Sequence, residues 1–246
     1  MIGMITVDDV VRMAIEDLFP DQSIPDQNNH VGKGRQHKAP DHLILNGKIA
    51  IERKSRNTID QSQFYKKLQE IAAQQGAPFW GVGRLNFKAI IDQLPDPKDA
   101  SQKMTDFMMN QVMKTMRKSQ KKFEEYAQFV PQEGQARVLI ISDNTEIRQG
   151  TAAVEYFIGR KMGALDAGDD QVKAIDATFY VKDPRCTIDE EDSYWFKAIS
   201  RACLSQEKQQ NVNGLASVLH HRISRYAPYA SAANNFRNSS FRLCIV

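Results

Sequence analysis

The chain has 246 residues, 41% of them hydrophobic and 26% charged, with a formal net charge of +3. That length can bury a sizeable core, and the mildly basic balance is compatible with nucleic acid without specifying it. No apolar run approaches about eighteen residues, which excludes a membrane-spanning helix, and three widely spaced cysteines without a C-x-x-C (Cys186, Cys203 and Cys244) exclude a disulfide framework and fit a reducing, cytoplasmic setting. No basic segment followed by an apolar stretch opens the chain, so no signal peptide is expected.

Thr6-Val-Asp-Asp9 opens the first element as a capping box with Asp in the fourth place. Val7, Val10, Val11, Ala14, Ile15, Leu18 and Phe19 then recur at helical spacing, with Glu16 inside the same helix. Residues 22–39 read as a loop. Its end, Gly32-Lys-Gly-Arg-Gln-His-Lys38, is basic, and its glycines allow the backbone to approach a nucleic-acid strand closely. Lys33, Arg35 and Lys38 are candidate phosphate contacts there, although the spacing is not that of a Walker loop. His30, His37 and His42 lie nearby without zinc-like spacing.

The most informative stretch follows. Leu43–Leu45 and Ile49–Ile51 are short apolar runs flanking Asn46-Gly47, the residue pair that best tolerates the positive φ angles of a tight hairpin. The hairpin returns Glu52-Arg53-Lys54 to the side of Pro40-Asp41. Alternation along a strand puts Glu52 and Lys54 on one face and Arg53 on the other. Two carboxylates, Asp41 and Glu52, and the Lys54 ammonium therefore converge at one end of a small sheet. Neighbouring carboxylates disfavour each other's ionisation. A divalent cation that prefers oxygen ligands relieves that conflict, and Mg²⁺ is typically held by one or two carboxylates, waters and substrate phosphate.

Ser55–Asp60 is a polar turn carrying Arg56, a further candidate phosphate contact. Gln61–Gln75 reads as a helix with Phe64, Leu68, Ile71 and Ala72 on one stripe and Gly76 as its stop, and Ala77–Arg84 reads as a strand. Residues 96–126 form one or two helices, with core methionines and with the most basic run of the chain, Lys114, Arg117, Lys118, Lys121 and Lys122. Ala136–Asp143 is a buried strand, Thr145–Met162 a helix and Val172–Val181 another strand of the same sheet. Helices are expected at Ser193–Gln206 and Val212–Tyr226, and a last strand at Ser239–Val246.

Asp41, Glu52 and Lys54 resemble the signature of the PD-(D/E)XK nuclease superfamily, which includes restriction endonucleases, Holliday-junction resolvases and repair exonucleases. The wording Pro-Asp-His-Leu-Ile-Leu…Ile-Ala-Ile-Glu-Arg-Lys-Ser is most similar to the archaeal resolvases and the VRR-type nuclease domains, and the resemblance covers roughly residues 6–86. It implies an α/β fold with a restriction endonuclease-like core, a mixed central sheet flanked by helices. Residues 96–130 would be a helical insertion, and 136–246 a sheet extension and helical subdomain of the same domain. It implies a Mg²⁺-dependent deoxyribonuclease, with Mn²⁺ as a substitute, in which Asp41, Glu52, the backbone carbonyl of Arg53 and a first-helix glutamate, here Glu16, hold the metal. Asp8, Asp9 and Asp17 are rivals to Glu16. Lys54 would orient water or balance charge at phosphorus. Gln61 and Tyr65 match a Q-x-x-x-Y element of RecB-type exonucleases, and Gln63 matches the glutamine of the VRR-type domains. DNA is the implied partner, and a homodimer is expected for cutting both strands. A restriction or phage-defence endonuclease, a repair or recombination nuclease, and a binding module that kept the fold are the alternatives.

Overall fold

The computed structural model describes residues 6–22, 30–31, 37–56, 61–78, 87–129, 133–144, 151–164, 170–182 and 195–234. In chain order the elements are α1 (Val7–Leu18), β1 (His30–Val31), β2 (His37–Lys38), β3 (His42–Ile44), β4 (Ile49–Arg56), α2 (Gln61–Gln74), α3 (Phe87–Ile91), α4 (Pro97–Phe129), β5 (Ala136–Asp143), α5 (Thr151–Lys161), β6 (Ala177–Lys182), β7 (Trp195–Ser200) and α6 (Gln206–Asn234). The fold is α/β. Among the described residues a five-stranded mixed sheet runs β3-β4-β5-β6-β7, antiparallel for β3–β4 and β6–β7 and parallel through β4, β5 and β6. None of the described helices is long and apolar enough to cross a membrane.

Alternation along the strands divides the core into two layers. Ile49 and Ile51 of β4, Val138 and Ile140 of β5, and Phe179 and Val181 of β6 face α1 and α6. Ala50, Leu139, Ile141 and Tyr180 point the other way, to α4 and α5. Parallel strands covered on both faces explain the unbroken apolar run Val138–Ile141. Phe64, Leu68, Ile71 and Ala72 of α2 are buried as their stripe requires, but against α3 and α4 in a satellite cluster. The methionine-rich α4 is one continuous helix. Its first half, at Ala100, Met104 and Met108, packs with α2, and its second half, from Met109 to Phe123, lies on the sheet.

The capping box at the start of α1 forms as expected: Thr6 Oγ1 accepts the Asp9 N–H at 3.1 Å, and Asp9 Oδ2 accepts the Thr6 N–H at 3.0 Å. The Thr6 hydroxyl, which donates to Asp9 Oδ2 at 2.7 Å, and then the Thr6 N–H hold the Asp9 carboxyl below its usual pKa. The hairpin keeps the register that a turn centred on Asn46-Gly47 dictates, with Ile44 opposite Ile49 and His42 opposite Ile51. Its last pair opens, however. Leu45, Asn46 and Gly47 all take positive φ (51°, 54° and 82°), so Leu45 leaves the strand and becomes exposed.

Three expectations change. Residues 195–200, expected in a helix, form β7, because the sheet offers an edge on β6 and the alternation of Phe196 against Lys197 and Ile199 suits both faces of a strand. Residues 172–176 precede β6 rather than belonging to it. The expected loop 22–39 contains a small antiparallel pair, β1 with β2, and β2 lies against α4. The expected strands at 239–246 and over most of 77–84 lie outside the described residues, as do Lys33 and Arg35.

The C-terminal ends of β4, β5 and β6 are tied by a buried polar cluster. Asp143 Oδ2 receives Arg56 Nη1 at 3.3 Å, Lys182 Nζ at 3.2 Å and the Tyr180 hydroxyl, while Arg56 Nη2 donates to the Met108 carbonyl of α4 at 3.3 Å. Burial and the Asp143 carboxylate hold the Tyr180 phenol well above its ordinary pKa. Arg56, expected to contact phosphate, is only 5% exposed, because β4 stays paired with β5 as far as Arg56 and the arginine points into the α4 layer. Removing one member of a buried ionic group leaves the others uncompensated, at a cost of roughly 3–5 kcal/mol. Asp143→Ala should therefore lower unfolding stability by about that amount in urea denaturation, and an unchanged midpoint would contradict this role.

Candidate functional site

One step beyond the His42–Ile51 pair, the hairpin register sets Asp41 opposite Glu52. Residues directly opposite in an antiparallel pair share a face, so both carboxylates turn toward α4. β3 begins only at His42, so the backbone N–H of Arg53 lies beyond the ladder, where Asp41 Oδ2 accepts it at 2.7 Å. That hydrogen bond fixes the Asp41 carboxylate. In a strand a residue's carbonyl leaves on the same edge as its N–H, so the Arg53 carbonyl belongs to the β3 edge of β4. The Arg53 side chain takes the opposite face and meets Asp8 of α1 at 3.3 Å.

Glu52 is fully buried in the middle of this arrangement. Its Oε1 meets the Lys54 ammonium, and its Oε2 meets the ammonium of Lys122, which α4 delivers from above the sheet. Lys122 Nζ also lies 3.2 Å from Asp41 Oδ1, so one ammonium bridges the two carboxylates. Lys122 stands where it does because its neighbours Ser119 and Phe123 are buried against the sheet. Burial, and then the charge of Asp41, raise the Glu52 pKa against the opposing pull of Lys54 and Lys122. Lys54 is about one-third exposed and so reaches from the buried carboxylate to the surface.

The structure thus brings together Asp41, Glu52, Lys54 and the Arg53 backbone. Glu16 is not brought to them: it sits on α1, over the opposite face of the sheet, and its carboxylate is paired with Arg12 at 3.1 Å. Its rivals are also engaged elsewhere, Asp8 with Arg53, Asp9 in the capping box and Asp17 with Tyr226 and Arg222. Gln63 is exposed on the first turn of α2, Tyr65 is partly buried against the α2–α4 cluster, and Gln61 opens that helix. Lys38 lies in β2, beside α4. Lys122, read in the sequence only as one cation of a basic run, is the site residue that reading missed. The available signal was its place between Ser119 and Phe123, at the flank of the buried stripe of α4.

The donor set fits a hard divalent cation. Two carboxylate oxygens from adjacent strands already converge on a single cationic centre, with a backbone carbonyl on the same edge, and Mg²⁺ commonly takes one or two carboxylates and completes its shell with water and phosphate. Among the described residues no third acid, histidine or cysteine joins the pair. No family model, curated protein or solved structure matches the chain.

His42, next to Asp41, is 3% exposed, and burial together with Arg53 lowers its pKa to about 4, with Asp41 opposing. The folded protein therefore holds this imidazole neutral, while the unfolded chain protonates it below the ordinary value of 6.5. Stability from this source is complete above pH 6.5 and drains away as pH falls toward 4, by on the order of 3 kcal/mol. Urea denaturation across this range should show the wild type losing more stability than His42→Leu; parallel pH profiles would contradict the assignment.

Proposed function

We propose that the protein is a divalent-metal-dependent deoxyribonuclease with a restriction endonuclease-like core, cutting phosphodiester bonds at the Asp41–Glu52–Lys54 site. The observation that carries this reading is the convergence of Asp41 and Glu52 on one cation position, with Lys54 beside it and open to solvent. The element order accords with it as well: α1, the β3–β4 hairpin and α2 follow the first four places of the helix, strand, strand, helix, strand order of the PD-(D/E)XK nucleases, and most of residues 77–84, the strand expected to complete it, lies outside the described residues.

Asp41, Glu52 and the Arg53 carbonyl would hold the metal. When bound, Mg²⁺ supplies Lewis-acid polarisation of a phosphoryl oxygen and a water acidified for attack. Asp41, fixed by the Arg53 N–H, needs little reorganisation to serve as ligand. Lys54 holds its ammonium at the mouth of the site, where it orients the attacking water or balances charge on the pentacovalent phosphorus. Water adds to phosphorus and the P–O3′ bond breaks, leaving a 5′-phosphate and a 3′-hydroxyl, as in the family the motif resembles. Exposed Lys114, Lys118 and Lys121 follow one face of α4 toward this mouth and supply phosphate contacts in place of the buried Arg56.

An endonuclease of restriction or phage-defence type, acting as a homodimer on duplex DNA, is the preferred form, with a junction-specific repair nuclease second. Lys122 gives a specific reason to weigh a third, a DNA-binding module, because its ammonium and that of Lys54 together neutralise the carboxylate pair. Incubating supercoiled, linear and branched DNA with Mg²⁺, Mn²⁺ or EDTA separates these forms. The wild type should cut only with metal, and Glu52→Ala and Lys54→Ala should each lose about a hundredfold or more. Discrete plasmid bands indicate the first form and selective cutting of branched DNA the second. Binding without cutting indicates the third, and cutting that survives both substitutions would refute the assigned site. Lys118→Ala and Lys121→Ala should each lower the salt slope of DNA binding by about one.

A further inference from the structure

Lys122 has no counterpart in the motif that suggested the site, yet it makes the most central contact there. Its ammonium touches Asp41 Oδ1 and Glu52 Oε2 at once, whereas among the described residues Lys54 pairs with Glu52 alone. A lysine side chain reaching down from a helix is a compact point charge on a flexible four-carbon stem. It is a monovalent substitute for a divalent ion, occupying the same oxygens. On the surface of the same helix, Lys118 and Lys121 stand within one turn of it and are exposed.

We propose that Lys122 is a displaceable counter-ion, seated between Asp41 and Glu52 in the metal-free protein and withdrawn when a divalent cation takes those oxygens. This inference rests on the metal-site reading above. Metal entry and Lys122 withdrawal are then one exchange. A withdrawn ammonium on the basic face of α4 finds a new partner in a DNA phosphate. DNA, by holding Lys122 away from the carboxylates, strengthens metal binding, and by reciprocity metal strengthens DNA binding. Lys122 is in this account a positioning residue that keeps the site poorly loaded until DNA arrives.

The test is Mn²⁺ titration of the folded, DNA-free protein by isothermal calorimetry, comparing wild type, Lys122→Met, Lys122→Arg and Lys54→Met. Deleting any nearby positive charge favours a cation to some degree, so Lys54→Met calibrates that general effect. Lys122→Met should bind Mn²⁺ roughly 5- to 150-fold more tightly than wild type and clearly more tightly than Lys54→Met, while Lys122→Arg, which keeps a cation in the seat, should stay near wild type. Equal gains for Lys122→Met and Lys54→Met, or no gain for Lys122→Met, would overturn the proposal. Should Lys122→Met fail to fold without metal, Lys122→Gln takes its place, and its melting temperature should rise more steeply with Mn²⁺ than that of wild type. Tighter Mn²⁺ binding by Lys122→Met together with intact DNA in every digest would leave the exchange standing and remove the nuclease. Absence of Mn²⁺ binding in all variants removes the metal site and the exchange with it.

Discussion

Two carboxylates that share one face of a sheet, with one of them fully buried, cannot both stay ionised without a cation. The hairpin register that sets Asp41 opposite Glu52 creates this demand, and much of the surrounding structure meets it. The Arg53 N–H takes one Asp41 oxygen, Lys54 takes one Glu52 oxygen, and Lys122 takes the remaining oxygen of each. Each supporting group arrives by a separate route: Arg53 because β3 begins only at His42, Lys54 by strand alternation, and Lys122 because a long helix is pressed onto the sheet.

The parallel strands beside the hairpin make the site rigid. β4 is paired along its whole length with β5, so Glu52 and Lys54 cannot shift without moving the centre of the sheet. Two residues further along β4, the Arg56–Asp143–Lys182–Tyr180 cluster locks the strand ends together and anchors Arg56 to the α4 backbone at Met108. The helix that supplies Lys122 is thus bound to the strand that supplies Glu52. Asn144, immediately after β5, adds a tie on the other face by accepting the Val7 N–H at 2.9 Å and donating to Ser55 Oγ at 2.8 Å.

What could be read from sequence was what depends on neighbours along the chain. Thr6 and Asp9 announce a helix start because a capping box is a local exchange of hydrogen bonds. Asn46-Gly47 announces the hairpin and its register because positive φ is a property of those residues, and the register alone placed Asp41, Glu52 and Lys54 together. The roles of Arg56 and Lys122 were hidden for the opposite reason. Arg56 looked like an exposed turn residue, and its burial depends on Asp143 and Tyr180, 87 and 124 residues later. Lys122 looked like one charge among five, and only the packing of Phe123 on the sheet turns it inward. Residues 195–200 were misassigned because a short apolar run fits either period, and the open edge of β6 decides it. Glu16 was assigned by resemblance alone, and the i,i+4 spacing to Arg12 accounts for its pairing without any site.

The most direct test of the central claim, that Asp41 and Glu52 form a divalent-cation site, is anomalous diffraction from crystals of the protein grown with Mn²⁺. One strong Mn²⁺ peak liganded by Asp41 and Glu52 is expected, with the Lys122 ammonium moved off both carboxylates. A crystal with Mn²⁺ present in which Lys122 still bridges Asp41 and Glu52 and no anomalous peak lies between them would contradict it.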